Sequence, residues 1–190
     1  VDLQVSFQTT VPEILKNINW KKSMRWSDHD LSWGRPLKSI LCLFDTSIVP
    51  FHFYHLQSTN KIFLGGPYDE KSFVVKNATH YFTLLKDKKI ILDHEERKKI
   101  ILNNLKTIFA KSKCENNPDP SLVEEVTNLV EYPTALKGKF SEDFLALPEE
   151  LLNLTMKQHQ RYFLMRSLDE GKIINQFITI SNNKDEKKLI

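Results

Sequence analysis

The sequence predicts an α+β fold: a mixed, largely antiparallel set of sheets packed with several helices. Three observations carry that prediction. Short apolar or alternating runs bounded by turn residues recur between positions 37 and 75 and again between 133 and 180, as strands require. Apolar residues spaced by three and four follow Asp93 and Ser121, both good helix-capping residues. The resulting order of strands, helices, strand, helix and strands lacks the regular alternation of a βαβ winding.

Taken in order, Val1, Leu3, Val5 and Phe7 alternate with polar neighbours and predict a strand. Thr10-Val11-Pro12-Glu13 predicts a helix start, with Thr10 as cap, Pro12 in the first turn and Ile14, Leu15 and Ile18 at helical spacing. Residues 20–36 are irregular and aromatic, with Trp20, Trp26 and Trp33, and end at Gly34 and Pro36. Leu37 to Phe44 reads as a central strand, Asp45-Thr46-Ser47 as a turn, and Ile48 to Leu56 as the returning strand of a hairpin. Lys61 to Leu64 predicts a third strand ended by Gly65-Gly66-Pro67, and Ser72 to Val75 a short edge strand.

Asn77 caps a helix to Leu85, and Lys88 to Leu92 is an apolar link. Asp93 caps a long helix whose first-turn Glu95 and Glu96 complement the dipole and whose stripe is Ile100, Ile101, Leu105, Ile108 and Phe109. Cys114 to Pro120 is a loop, and Ser121-Leu122-Val123-Glu124 fits a capping box opening the next helix. Pro133 to Phe140 predicts a strand, Ser141 to Phe144 a turn, and Pro148-Glu149-Glu150 a helix carrying Leu151, Leu152, Leu154 and Met156. Tyr162 to Met165 and Ile173 to Ile180 predict strands flanking an Asp169-Glu170-Gly171 turn, and the tail after Asn182 is expected to be flexible or to lead onward.

The 190 residues, 41% hydrophobic, are enough for one packed domain or two small ones. They are read as a single α+β fragment, 1–190, with sub-lobes at 1–92 and 93–190. The missing initiator Met and the Lys187-Lys188-Leu189-Ile190 ending predict a piece of a longer polypeptide. No apolar run approaches the ~18 residues of a membrane-spanning helix, so no membrane partner is expected. Two cysteines, Cys42 and Cys114, make neither a disulfide framework nor a four-thiolate zinc site, and point to a reducing, cytoplasmic location. The net charge of +3 hides an asymmetry: residues 1–113 carry 18 basic and 11 acidic side chains, residues 114–190 carry 9 and 13. That difference fits either a half that faces a polyanion or simply wet, Lys-rich helices.

No catalytic or metal-ligating set emerges from the six histidines. His52 and His55 fall on opposite faces of the predicted strand, and no His-Glu-x-x-His or Cys-x-x-Cys spacing occurs. The His29-Asp30 dipeptide occurs in metal-dependent phosphohydrolases, but that chemistry needs further ligands for two metals, and Asp28-His29-Asp30 reads as a polar loop. Gly65-Gly66-Pro67 lacks the pattern of a phosphate-binding loop.

Two stretches are candidates for RNA contact. In Lys21-Lys22-Ser23-Met24-Arg25-Trp26, followed by Trp33-Gly34-Arg35-Pro36, basic side chains interleave with large flat ones. Such residues either pair with phosphates and stack bases, or place the rings in a core from which the charges snorkel. Lys157, His159 and Arg161 alternate; an extended chain there would put them on one face toward RNA or an acidic partner. A helix C-terminus would instead use them to complement the dipole.

These stretches, with what lies between, resemble the β subunit of bacterial heterotetrameric glycyl-tRNA synthetase. The resemblance rests on Lys22-Ser-Met-Arg-Trp26, Arg35-Pro36 before an apolar hairpin, Leu56-Gln-Ser58 and Glu95-Glu-Arg-Lys98. It continues through Leu122-Val-Glu-Glu-Val-Thr-Asn-Leu-Val-Glu-Tyr-Pro133, Phe144-Leu-Ala-Leu-Pro-Glu-Glu150, Thr155-Met-Lys-Gln-His-Gln-Arg-Tyr-Phe163 and Asn175-Gln-Phe-Ile178, in one order over residues 11–185. The chain departs from the family at Ile62–Tyr68, where a basic Gly-His-containing stretch is usual.

The resemblance implies a share in glycine–tRNA ligase, the ATP-dependent attachment of glycine to its tRNA. It implies an α-subunit partner in a tetramer of two α and two β chains, with ATP and magnesium at an aminoacylation site on α. No cofactor and no catalytic residue is expected in this fragment. It would bind tRNA or hold subunits and domains together, an alternative being a protein-binding scaffold without RNA contact. An HD-like domain and an anticodon-binding region are expected downstream, so His29-Asp30 is not equated with the former.

Overall fold

The computed structural model describes residues 3–64, 70–115 and 117–182. The chain forms two compact units, Val1–Leu84 and Leu85–Ile190. Helices and several small, mostly antiparallel sheets make the fold α+β, as predicted.

The first unit opens with helix α1, Leu3–Lys16, where a strand was expected over the first residues. The correction has a simple cause. Phe7, Val11 and Leu15 recur every four residues, and this face packs on the cluster of Leu31, Val49, Phe51 and Phe53. The helix also begins earlier than Thr10, so Pro12 lies inside it and one backbone hydrogen bond is forgone.

The predicted hairpin exists in a more broken form. Strands β1 (Ile40–Leu41), β2 (Leu43–Phe44), β3 (Ser47–Ile48), β4 (His52–Phe53) and β5 (Leu56–Thr59) replace two continuous strands. At Cys42 the chain changes partner: its N–H donates to Thr59 and its carbonyl accepts from Val49. Hence β1 pairs parallel with β5, whereas β2 pairs antiparallel with β3 through a turn at Asp45, φ 55°. The returning strand breaks at Pro50, which has no N–H to donate. The buried Ser58 repairs the break, its hydroxyl accepting from Phe51 N at 2.9 Å and donating to Val49 O at 2.7 Å. Strands β6 (Lys61–Leu64) and β7 (Lys71–Val74) pair antiparallel. The turn expected at Gly65-Gly66-Pro67 lies outside the described residues, as does the tail after Asn182.

Helix α2, Ala78–Asp87, is capped by Asn77, whose side chain accepts from His80 N at 2.8 Å. The second unit is built on α3 (His94–Lys111) and α4 (Pro120–Leu129), packed on a three-stranded antiparallel sheet ordered β8 (Pro133–Lys139), β10 (Ile173–Asn182), β9 (Phe163–Arg166). Ile101, Leu105 and Phe109 bury the α3 face against Leu122, Val123 and Val126 of α4 and Phe163, Met165 and Ile178 of the sheet. Each such side chain contributes about 1.5–3 kcal/mol by burial. Asp93 caps α3 as expected, accepting from Glu96 N at 3.0 Å. The cap of α4 is Asp119 rather than Ser121, because Pro120 takes the first helical position, where its missing N–H costs nothing. A 3-10 turn (Glu142–Ala146), short helix α5 (Glu149–Asn153) and a π-helical turn (Leu154–His159) connect β8 to β9.

Candidate nucleic-acid interface

The two candidate stretches have different environments, and each lies within one unit. In the first unit, residues 20–36 form a loop closed by a bridge: Met24 N donates to Trp33 O at 2.9 Å and Trp33 N to Met24 O at 3.1 Å. Ser32 donates across it to the Ser23 hydroxyl at 2.9 Å. The indoles anchor the loop. Trp26 and Trp33 pack on the unit's core, and Trp20 lies 4.9 Å from Trp33. Trp20 also covers Gly34 so closely that a Cβ there would sit 2.7 Å from its ring. For Trp26 and Trp33, the core reading of the sequence holds.

The cations of this loop are a separate matter. Lys21, Lys22 and Arg25 are exposed and, among the described residues, none makes a hydrogen bond or ion pair. Arg35 is exposed as well, and Asp28 and Asp30 are the acidic groups of the same loop. Beside them His29 stacks on His55, centroids 3.5 Å apart and planes 3° apart, with the Trp26 edge against both. This cluster was not legible in the sequence, because His55 occupies the Tyr54-His55 turn between β4 and β5 rather than a strand face.

In the second unit, the extended row expected of Lys157, His159 and Arg161 is replaced by the π-helical turn, so the residues do not alternate along a strand. Lys157 instead donates to the Asp119 carboxylate, the α4 cap. Arg161 donates to Glu125 of α4 at 2.6 Å and to the carbonyl of Gln158. Its backbone is left-handed, φ 58°, a conformation non-glycine residues adopt at a cost of about 1–2 kcal/mol. Only His159 of the three is exposed without a partner among the described residues. The Lys157 and Ser121 hydrogen bonds hold the Asp119 carboxyl well below the usual carboxylate range, against the opposing pull of burial.

Further contacts converge on α4. Arg97 donates to Thr127 O at 3.2 Å and to the carbonyls of Ile91 and Leu92, both at 2.7 Å. Lys98 and His94 both reach Glu124, at 3.0 and 2.9 Å. The Glu124 carboxyl is lowered chiefly by the Lys98 hydrogen bond. Among the described residues, no group of three or more His, Cys, Asp or Glu side chains could hold a metal ion. No helix among them is long and apolar enough to cross a membrane.

The family model describing the glycyl-tRNA synthetase beta subunit matches residues 2–190. The chain belongs to that family. It is 40% identical over 176 residues to the glycine–tRNA ligase beta subunit of Citrifermentans bemidjiense, covering 93% of this chain and 26% of the relative. It is 35% identical over 182 residues to that of Pediococcus pentosaceus (94% and 26%), and 35% over 177 residues to that of Listeria monocytogenes (93% and 25%). The chain therefore spans about a quarter of the length of these curated relatives.

Three of the sequence blocks that resemble the beta subunit meet in space. Glu95–Lys98, Leu122–Pro133 and Thr155–Phe163 are the segments joined by the Arg97, Lys98 and Arg161 contacts to α4. In this family member those blocks build a structural frame, and their charges are largely spent within it. The Lys22–Trp26 block differs: its indole is packed while its two cations are not engaged.

Proposed function

We propose that the chain serves a glycine–tRNA ligase as a part of its β subunit, contacting tRNA through the 20–36 loop. The observation that carries this reading is that Lys21, Lys22 and Arg25 are exposed and unpaired on a loop held rigid by its indoles and backbone bridge. Loose lysines on flexible segments lose side-chain entropy when they bind. A preset cationic edge loses less, and phosphates supply the complementary charge. Arg35 is a further exposed cation of the same loop.

On this reading the Lys157 and Arg161 cations, engaged by Asp119 and Glu125, position the π-helical turn and do not bind RNA. His159, exposed, is the only member of that trio available for contact. The partner is an α subunit, in a tetramer of two α and two β chains. Glycine activation by ATP and magnesium belongs to that partner, and the assembly works in the cytoplasm. This chain's own share is to bind and orient the RNA.

The test is tRNA affinity of the assembled ligase with Lys21→Ala, Lys22→Ala and Arg25→Ala combined. Weakening of at least tenfold at near-physiological salt, with an unchanged thermal midpoint, is the expected result. Unaltered affinity would refute the assignment.

A further inference from the structure

Residues 141–153 of the second unit carry four carboxylates, Glu142, Asp143, Glu149 and Glu150, and no cation. The same stretch and its continuation expose large apolar side chains at unusual density: Phe144 is 52% exposed, Leu147 40%, Leu151 45% and Leu154 43%. Single exposed leucines are ordinary on a protein surface. Five large ones within eleven residues, counting Leu145, are the mark of a face that something covers.

An open groove of about 580 Å³ adjoins part of this stretch and the start of β10, and Leu145 and Leu147 are the exposed apolar side chains that reach into its lining. Leu145, Leu147 and Ile173 line it together with Glu142, Glu149, Glu170 and one cation, Lys172. Two of those carboxylates have local partners: Glu149 pairs with Arg166, and Glu170 lies 3.7 Å from Lys172. Glu142 has none among the described residues, nor does Glu150 of the same stretch. Exposed apolar side chains interspersed with carboxylates, two of them unpaired, fit a segment that presents aliphatic or aromatic side chains flanked by Lys or Arg.

We propose that this groove is an interdomain docking site. Its occupant is an apolar, basic-flanked segment from the three quarters of a β subunit that this chain does not span. Two observations select that occupant over a second copy or a separate protein. The curated relatives are about four times as long as the stretch they share with this chain, so a large covalently linked surface stands available at high effective concentration. A second copy of the face would also bring its own unpaired Glu142 and Glu150 against these, a like-charge contact. The inference rests on family membership and not on the RNA reading.

The experiment uses a full-length β subunit carrying these 190 residues, assembled with its partner, with a photo-reactive phenylalanine analogue in place of Leu147. The expected cross-link maps within the same polypeptide, outside this stretch, to an apolar segment flanked by Lys or Arg. Glu142→Lys with Glu150→Lys should cut its yield at least threefold while leaving the thermal midpoint unchanged. A cross-link to the partner subunit, to RNA or to a second β chain would overturn the proposal. So would the absence of a cross-link, or a yield indifferent to the charge reversals.

Discussion

Removing the Asp119 side chain tests the frame around α4 at its most connected point. Asp119→Ala deletes the acceptor for Ser121 N at 2.9 Å and Leu122 N at 3.1 Å, and with it the Lys157 ion pair. Loss of an Asp cap costs about 1 kcal/mol. The ion pair is discounted to about 0.5 kcal/mol, because its two side chains are 41% and 39% exposed. The expected penalty at pH 7 is therefore about 1.5 kcal/mol, whereas Asp119→Asn, which keeps a cap acceptor, should lose about 0.5 kcal/mol.

The penalty depends on pH with a definite sign. The folded carboxyl titrates well below its ordinary value, chiefly because Lys157 and then Ser121 bond its charged form. A group lowered on folding stabilises fully above its unfolded pKa of about 3.9 and loses that contribution as pH falls through the folded value. The gap between wild type and Asp119→Ala should thus be largest at pH 5–7 and shrink below about pH 4. Urea unfolding followed by far-ultraviolet circular dichroism at pH 7, 5 and 3 measures it. A penalty under about 0.3 kcal/mol at pH 7, or one equally large at pH 3, would refute the reasoning.

Two further outcomes follow from packing. Gly138→Ala would place a Cβ 2.4 Å from the Phe177 ring, which is stacked on Tyr162 at 4.4 Å and has little room to turn. Destabilisation of about 1–3 kcal/mol is expected, and an unchanged or raised thermal midpoint would contradict it. Burial raises both cysteine thiols, Cys114 against a lowering influence from Lys137. Both should therefore react with a thiol reagent at pH 8 more slowly than a free thiol, and Cys114, only 3% exposed, should react last. Equal, fast labelling of the two would show that the buried environment is misdescribed.

What could be read from the sequence divides by physical cause. The α3 stripe and its Asp93 cap, the β8 strand and the β9–β10 turn were legible because one local rule governs each of them. The first residues were not, because Leu3 and Phe7 satisfy both a two-residue and a four-residue period. Only the packing of Phe7, Val11 and Leu15 on the Phe51 cluster decides for the helix. Ser121 and Asp119 compete for the same cap, and Pro120 settles the contest for Asp119. Among the candidate contacts, the loop at 20–36 was identified from its composition, but which rings are packed and which charges are left over depends on tertiary contacts. The Lys157–Arg161 row failed as an extended face because its cations answer carboxylates 36 and 38 residues earlier, a pairing no local pattern reveals.

The central claim is that free cations at 21, 22 and 25 meet RNA while engaged cations at 157 and 161 hold α4. The most direct measurement is the slope of log tRNA affinity against log salt for the assembled ligase. It should be taken for the wild type, the Lys21/Lys22/Arg25 triple-alanine variant and a Lys157→Ala, Arg161→Ala variant. The account predicts that the triple variant loses about two to three units of slope, at roughly 0.7–0.9 per phosphate contact. The double variant should keep the wild-type slope while losing stability. A triple variant with the wild-type slope, or a double variant with a flattened one, would contradict it.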